Sequence, residues 1–141
     1  MRCEIIIDKE REEVVTVCAH ERTALVEDIE RLLQSYETEL TGYIDKRIFK
    51  LTSKDVYCFV SEDGKVFALT EDKKYQIRLR LYQLEGLEGF LRINQSCLVN
   101  IKKIIRFDAS LSGTLSVTLK NGYRDYVSRR QLKAVKERME L

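Results

Sequence analysis

Apolar and polar positions follow three different rhythms along this chain. Residues 4–8 enclose Ile5-Ile6-Ile7 between acids, and residues 13–19 contain Val14-Val15-Thr16-Val17-Cys18 beyond a charged break. Both runs are short and rich in β-branched residues, which predicts two strands. Between His20 and Leu40 the rhythm lengthens. Leu25, Ile29, Leu32, Leu33, Tyr36 and Leu40 fall at offsets 0, 4, 7, 8, 11 and 15, one apolar stripe of a helix. Glu21, Glu27 and Asp28 sit early in that segment, where the helix dipole favours acids, and Gly42 supplies a stop. Residues 1–42 therefore read as a small ββα unit. Such a unit can hardly bury both its strands and the helical stripe alone, so it is expected to pack on the rest of the chain or on a second copy.

From Tyr43 onward short strand-like runs follow one another closely, at residues 43–51, 56–61, 66–70, 75–80, 90–93, 98–101, 104–107, 114–120 and 123–127. Asp63-Gly64 and Asn121-Gly122 each separate two such runs. Tight primed turns need positive φ, which Asn, Asp and Gly tolerate, so both pairs mark hairpins. Leu81, Leu84 and Leu87 recur near helical spacing, with Gly86 and Gly89 limiting the length, which predicts a short connecting helix. At the C-terminus Leu132, Val135 and Met139 share a helical face, and Ser128 with Gln131 forms a capping box at the start of that helix.

Composition removes several classes of function. The chain has 141 residues, enough for one domain or two small ones. No run approaches the ~18 uncharged apolar residues of a membrane span, and Met1-Arg2-Cys3-Glu4 does not open a secretory signal. Cys3, Cys18, Cys58 and Cys97 form no CxxC pair, as in a reduced cytoplasmic protein, and Cys58 and Cys97 read as inert buried thiols. His20 is the only histidine. No metal site, cofactor motif or catalytic constellation is legible: there is no GxSxG, no Walker loop and no paired-carboxylate motif.

Charge adds direction. Residues 1–42 hold 5 Lys/Arg against 11 Asp/Glu, whereas residues 43–141 hold 20 against 12. The first part is acidic and the second basic, which points to a polyanionic partner. Arg129 and Arg130 occupy the first turn of the C-terminal helix, at the positive end of its dipole, a position better suited to an anion by ~0.3 to 1 kcal/mol per charge. A bound phosphate would remove that conflict.

The segment Phe90-Leu91-Arg92-Ile93-Asn94-Gln95-Ser96-Cys97-Leu98-Val99-Asn100, followed by Ile104, then Leu119-Lys120-Asn121-Gly122 and Val127-Ser128-Arg129-Arg130, resembles the LytTR DNA-binding domain of bacterial transcription regulators. The likeness covers residues 43–141 and includes the stretch 77–85 as the family's helix preceding F-x-R-x-x-x-S-x-x-V-N. The acidic leader at residues 1–42 is similar to that of small stand-alone LytTR regulators, which lack a receiver domain. The resemblance implies an α+β, mainly β fold of antiparallel sheets with a short connecting helix and a C-terminal helix. It also implies that loops, not a recognition helix, face double-stranded DNA. On this sequence those regions are residues 63–66, 94–96 and 128–130, which names Lys65, Asn94, Gln95, Ser96, Ser128, Arg129 and Arg130 as DNA-binding residues. Gln95 can pair with adenine and Arg130 with guanine in the major groove. Arg129, Lys65 and Ser96 suit phosphate contacts. Asn100 reads instead as a strand-end amide that satisfies turn backbone groups.

The expected protein is thus a cytoplasmic transcription regulator without catalytic activity or cofactor, a homodimer on two half-sites, with a regulatory protein partner as a further candidate. Two alternatives stand beside it. Tyr57, Phe59, Tyr75, Tyr123 and Tyr126 could stack the bases of single-stranded RNA, and the acidic leader could make the chain a protein-interaction module.

Overall fold

The computed structural model describes residues 1–141, apart from the side chains of residues 35–37, so that of Tyr36 lies outside the described residues. Helix α1 (Ala24–Glu37) leads directly into strands β1 (Glu39–Ile44) and β2 (Arg47–Thr52). Next come β3 (Cys58–Glu62), β4 (Lys65–Leu69) and β5 (Lys74–Ile77), the single-turn helix α2 (Leu81–Leu84), then β6 (Phe90–Asn94) and β7 (Cys97–Asn100). The chain closes with β8 (Ile104–Ala109), β9 (Leu115–Leu119), β10 (Arg124–Val127) and helix α3 (Arg129–Met139). Every ladder is antiparallel, in a seven-stranded sheet of order β2-β1-β5-β4-β3-β7-β6 and a three-stranded sheet of order β10-β9-β8.

The large sheet is apolar on both faces. Phe59, Val66, Ala68, Ile77 and Leu98 turn to one side, where Leu81 and Leu84 of α2 cover them. Cys58, Val60, Ile93, Cys97 and Val99 turn to the other, against Leu115, Val117, Leu119 and Val127 of the small sheet and Val135 of α3. Burial on both sides explains why β3 and β7 are nearly continuous apolar runs.

Two thiols share the second layer. The register pairs Cys58 with Val99 and Val60 with Cys97, so the cysteines are diagonal neighbours, both fully buried. The hydrogen bond its thiol donates toward Cys58, together with burial, pushes Cys97 far above the ordinary thiol range, which keeps it protonated and unreactive.

Several sequence expectations are corrected. Residues 1–23 contain no strand. A turn bond from the Arg11 N–H to the Asp8 carbonyl brings the two β-branched runs round, but no ladder joins them, and Ile5, Ile6, Ile7, Val14 and Val15 are exposed. An isolated two-stranded ribbon is marginal in water, and these runs stay exposed beside Leu33 of α1. The ββα leader is therefore an unpaired segment followed by a helix. That helix starts at Ala24, because the Thr23 hydroxyl accepts the Val26 N–H at 3.3 Å, so His20 lies outside it. It ends at Glu37, and Leu40 belongs to β1, buried in the core.

Gly42 is not a helix stop. It lies within β1, and a Cβ there would stand 2.8 Å from both the Tyr75 Cβ and the Leu51 Cδ1. The run expected as one strand at 43–51 is a hairpin, turned at Asp45 with φ of 54°. Of the two hairpin turns, Asp63 and Gly64 both have positive φ, as a primed turn requires. In the Asn121-Gly122 turn only Gly122 does. The Asn121 side chain instead donates to the Thr70 carbonyl at 3.0 Å and accepts the Tyr123 N–H at 3.0 Å, tying the small sheet to the large one.

Two measurements check this packing. Gly42→Ala should lower stability in urea unfolding by about 1–3 kcal/mol, because the added methyl overpacks the Tyr75 contact. A thiol reagent should modify the exposed Cys3 and Cys18 in the native chain and reach Cys58 and Cys97 only on unfolding.

Candidate nucleic-acid interface

The residues named from sequence gather at one end of the large sheet, and backbone geometry explains how. The β3–β4 hairpin closes with Glu62 opposite Lys65, which sets Lys65 just past the turn. The neighbouring β6–β7 turn carries Asn94, Gln95 and Ser96, and the Ser96 carbonyl accepts the Ser61 N–H of β3 at 2.8 Å. The β10–α3 junction is fastened to the same turn twice. The Ser128 N–H donates to the Ile93 carbonyl at 2.8 Å, and the Asn94 Nδ2 donates to the Tyr126 carbonyl at 2.9 Å. Three segments distant in sequence thus become one surface.

Within it the side chains divide the work. Asn94 is a strut: besides the bond to Tyr126, its Oδ1 accepts the Ser96 N–H at 2.8 Å. Gln95 and Ser96 are exposed at the tip. Arg92, one strand turn away, is the residue whose role the sequence leaves open. Its guanidinium donates to the Gln95 carbonyl at 2.8 Å and pairs with the Glu85 carboxylate, bracing the turn from behind. The only hint in sequence is its place in the F-x-R pattern.

The α3 N-terminus is capped by Ser128, whose Oγ accepts the Gln131 N–H at 3.3 Å. The reciprocal half of the capping box is replaced, since the Ser128 N–H is already used by Ile93. The two following arginines diverge. Arg130 lines an open cleft of about 480 Å3 together with Arg92, Gln95, Ser128 and Gln131. Arg129 lies on the other flank of the helix, beside Lys133 and Lys136, with Glu137 and Glu140 at the far end of that flank. Neither arginine has an ion-pair partner among the described residues, and both sit at the positive end of the α3 dipole. The end is cationic and its cations are uncommitted. Lys65 does not line the cleft but stands across the adjoining hairpin, exposed. Lys133 and Lys136 extend the cationic flank from Arg129 at near-helical spacing, a pattern the sequence carries but which gains meaning only once Arg129 is oriented.

Other candidates fall away from this surface. Phe59 and Tyr75 are buried, Tyr57 is covered by the Lys103 ammonium at 4.7 Å and Tyr123 donates to Asp125, so of the five aromatic residues Tyr126 alone is widely exposed and they form no common stacking platform. Asn100 does the structural work read for it: its Nδ2 donates to the Val56 carbonyl at 2.9 Å and its Oδ1 accepts the Lys102 N–H at 3.1 Å. Among the described residues no His, Cys, Asp and Glu cluster suits a metal ion, and no helix is long and apolar enough to cross a membrane.

Asn94→Ala should destabilise the chain by about 1–3 kcal/mol through two lost hydrogen bonds, while Asn94→Asp, which keeps the acceptor for Ser96, should lose less. Urea unfolding, with amide exchange at Ser96 as the local readout, separates the two.

Known proteins resemble this chain in sequence and in fold. The family model described as the LytTr DNA-binding domain covers residues 46–140. Uncharacterized HTH-type transcriptional regulators of Staphylococcus aureus, from strains NCTC 8325 / PS 47 and COL, are 38% identical over 104 residues, spanning 72% of this chain and 71% of each relative. A solved LytTr DNA-binding domain from Bacillus cereus superposes with a TM-score of 0.70 at 18% identity, covering 74% of this chain and 99% of that one, a likeness of fold. On the family match, the shared sequence and the two-sheet architecture, the chain belongs to the LytTR DNA-binding domain family.

Proposed function

We propose that this protein is a transcription regulator that binds a specific site on double-stranded DNA through the loop surface at the β3–β4, β6–β7 and β10–α3 connections. The observation that carries the reading is the cleft that joins Gln95 to Arg130 beside an unpaired Arg129. Gln95 and Arg130 enter the major groove and read base edges, for which an amide and a guanidinium have the matching donor and acceptor geometry. Arg129, Lys65 and the Ser96 hydroxyl hold phosphates, with Lys133 and Lys136 continuing the track. Asn94 and Ser128 fix the turn and the helix start that present these groups. Strands separate the helices of this chain, so recognition uses loops and a helix N-terminus rather than two consecutive helices.

The regulator acts in the cytoplasm as a homodimer on two repeated half-sites, and it uses neither catalysis nor a cofactor. The leader at residues 1–42 supports the dimer, because its aliphatic side chains are exposed along both extended runs and on α1 at Leu25 and Leu32. A regulatory protein partner would act on the same acidic segment.

Selection of a random duplex pool with the purified chain should enrich a repeated motif, bound far more tightly than single-stranded RNA. Arg130→Ala should weaken binding to that motif by about 1–3 kcal/mol while changing random-duplex binding much less. Lys65→Ala should weaken both by similar factors and reduce the slope of log K against log salt by about one unit. Equal losses on both duplexes for Arg130→Ala would remove its base-reading role, and the absence of any enriched motif would overturn sequence-specific binding.

A further inference from the structure

The large sheet leaves one edge open at β2, and the chain carries a strand-like segment with no partner. Among the described residues the outer side of β2 pairs with nothing. An exposed edge of this kind is a template for another strand unless charges guard it. Here Lys46, in the turn just before β2, and Lys50 flank Ile48, which is 69% exposed. Ile48 and Lys50 share one face of β2 and Lys46 stands at the turn that opens it, giving the order base, apolar, base.

Residues 4–8 carry the complementary pattern. Glu4, Ile6 and Asp8 alternate onto one face, with Ile6 64% exposed. Laid antiparallel on β2, Glu4 falls opposite Lys50, Ile6 opposite Ile48 and Asp8 opposite Lys46. On the reverse face Ile5 falls opposite Phe49, which is half-buried and edge-on to Tyr75 with ring centroids 5.2 Å apart. Each opposed pair is of a kind that stabilises adjacent strands. In the isolated chain these acids have only exposed local partners, Arg2 for Glu4, and Arg11 and the Glu10 N–H for Asp8, and ion pairs of that kind are weak.

Within one chain residues 4–8 join no ladder, and the outer side of β2 stays bare. Helix α1 packs on the turn just after β2, where Leu32 lines a cavity with Ser53, Lys54, Asp55, Phe90 and Asn100, and Leu33 lines the gap beside Ile6 and Val14.

We infer that residues 4–8 are a donated strand, which adds to the β2 edge of a second copy of this chain while that copy donates its own strand in return. The exchange is isologous and closes as a two-fold dimer. The lysines that bar unmatched strands from the edge select this acid-flanked one, and main-chain bonds supply the affinity. The inference deepens the dimer proposed above by naming the surfaces that meet.

Charge exchange tests it on the full chain, by sedimentation over a range of concentrations. Wild type should dimerise. Glu4→Lys with Asp8→Lys should raise the dimer dissociation constant at least ten-fold, as should Lys46→Glu with Lys50→Glu, and combining all four substitutions in one chain should restore dimerisation to within a few-fold of wild type. All positions are exposed, so unchanged circular dichroism would verify folding. A wild-type dimer indifferent to either pair of substitutions, or a combined variant no stronger than the separate ones, would overturn strand donation and leave the dimer standing. A wild type monomeric at every concentration would overturn both. Binding of a single half-site, measured alongside, reports separately on DNA recognition.

Discussion

Burial of β3 and β7 on both faces is the constraint from which the rest of the molecule follows. Phe59 and Leu98 fill one layer while Cys58, Val60, Cys97 and Val99 fill the other. A slip of one residue would exchange the two sets, forcing a phenylalanine into space shaped for two thiols. The register is thereby fixed, and with it the height at which each strand ends. Since the β3–β4 hairpin and the β6–β7 turn project from these strands, the geometry of the recognition surface is inherited from the core. Helix α3 joins the same frame through Val135 below and the Ser128 to Ile93 bond above.

How much of this could be read beforehand depended on whether the information was local. The Asp63-Gly64 turn, the Ser128 cap, the α2 spacing and the structural amide of Asn100 are each specified by a few adjacent residues, and each stands where the sequence places it. The leader shows the opposite case. Three isoleucines in a row state a preference for extended backbone, but a strand exists only when another supplies its hydrogen bonds, and a pattern in one segment does not contain its partner. Gly42 follows the same rule. Its need is set by Tyr75, thirty-three positions away, and no local rule separates a helix stop from a close approach within a sheet.

The recognition surface divides in the same manner. Lys65, Gln95, Ser96 and the two arginines are identifiable as residues, through the family resemblance and the conflict of arginines with a helix dipole. Their division of labour is not, because adjacent positions on a helix diverge by roughly 100° and only the packing of α3 decides which side meets the cleft. Asn94 and Arg92 make the point more sharply. Both carry groups suited to nucleic acid, yet the fold spends the Asn94 amide on the Tyr126 carbonyl and the Ser96 N–H, and spends the Arg92 guanidinium on the Gln95 carbonyl and Glu85. Their contribution is rigidity, which lowers the entropy lost when the tip is immobilised against a ligand.

The divergence of Arg129 and Arg130 bears on how such a protein can change. Consecutive codons supply two cations to two separate environments, one shared with Gln95 and the other with Lys133 and Lys136 on a flank that ends in Glu137 and Glu140. On the proposed division of roles, a mutation at Arg130 would alter the cleft without disturbing its neighbour's surroundings, so target preference could change while general attraction to polyanions persisted. Retargeting would then run through intermediates that still bind DNA, one substitution at a time, rather than through a non-binding gap.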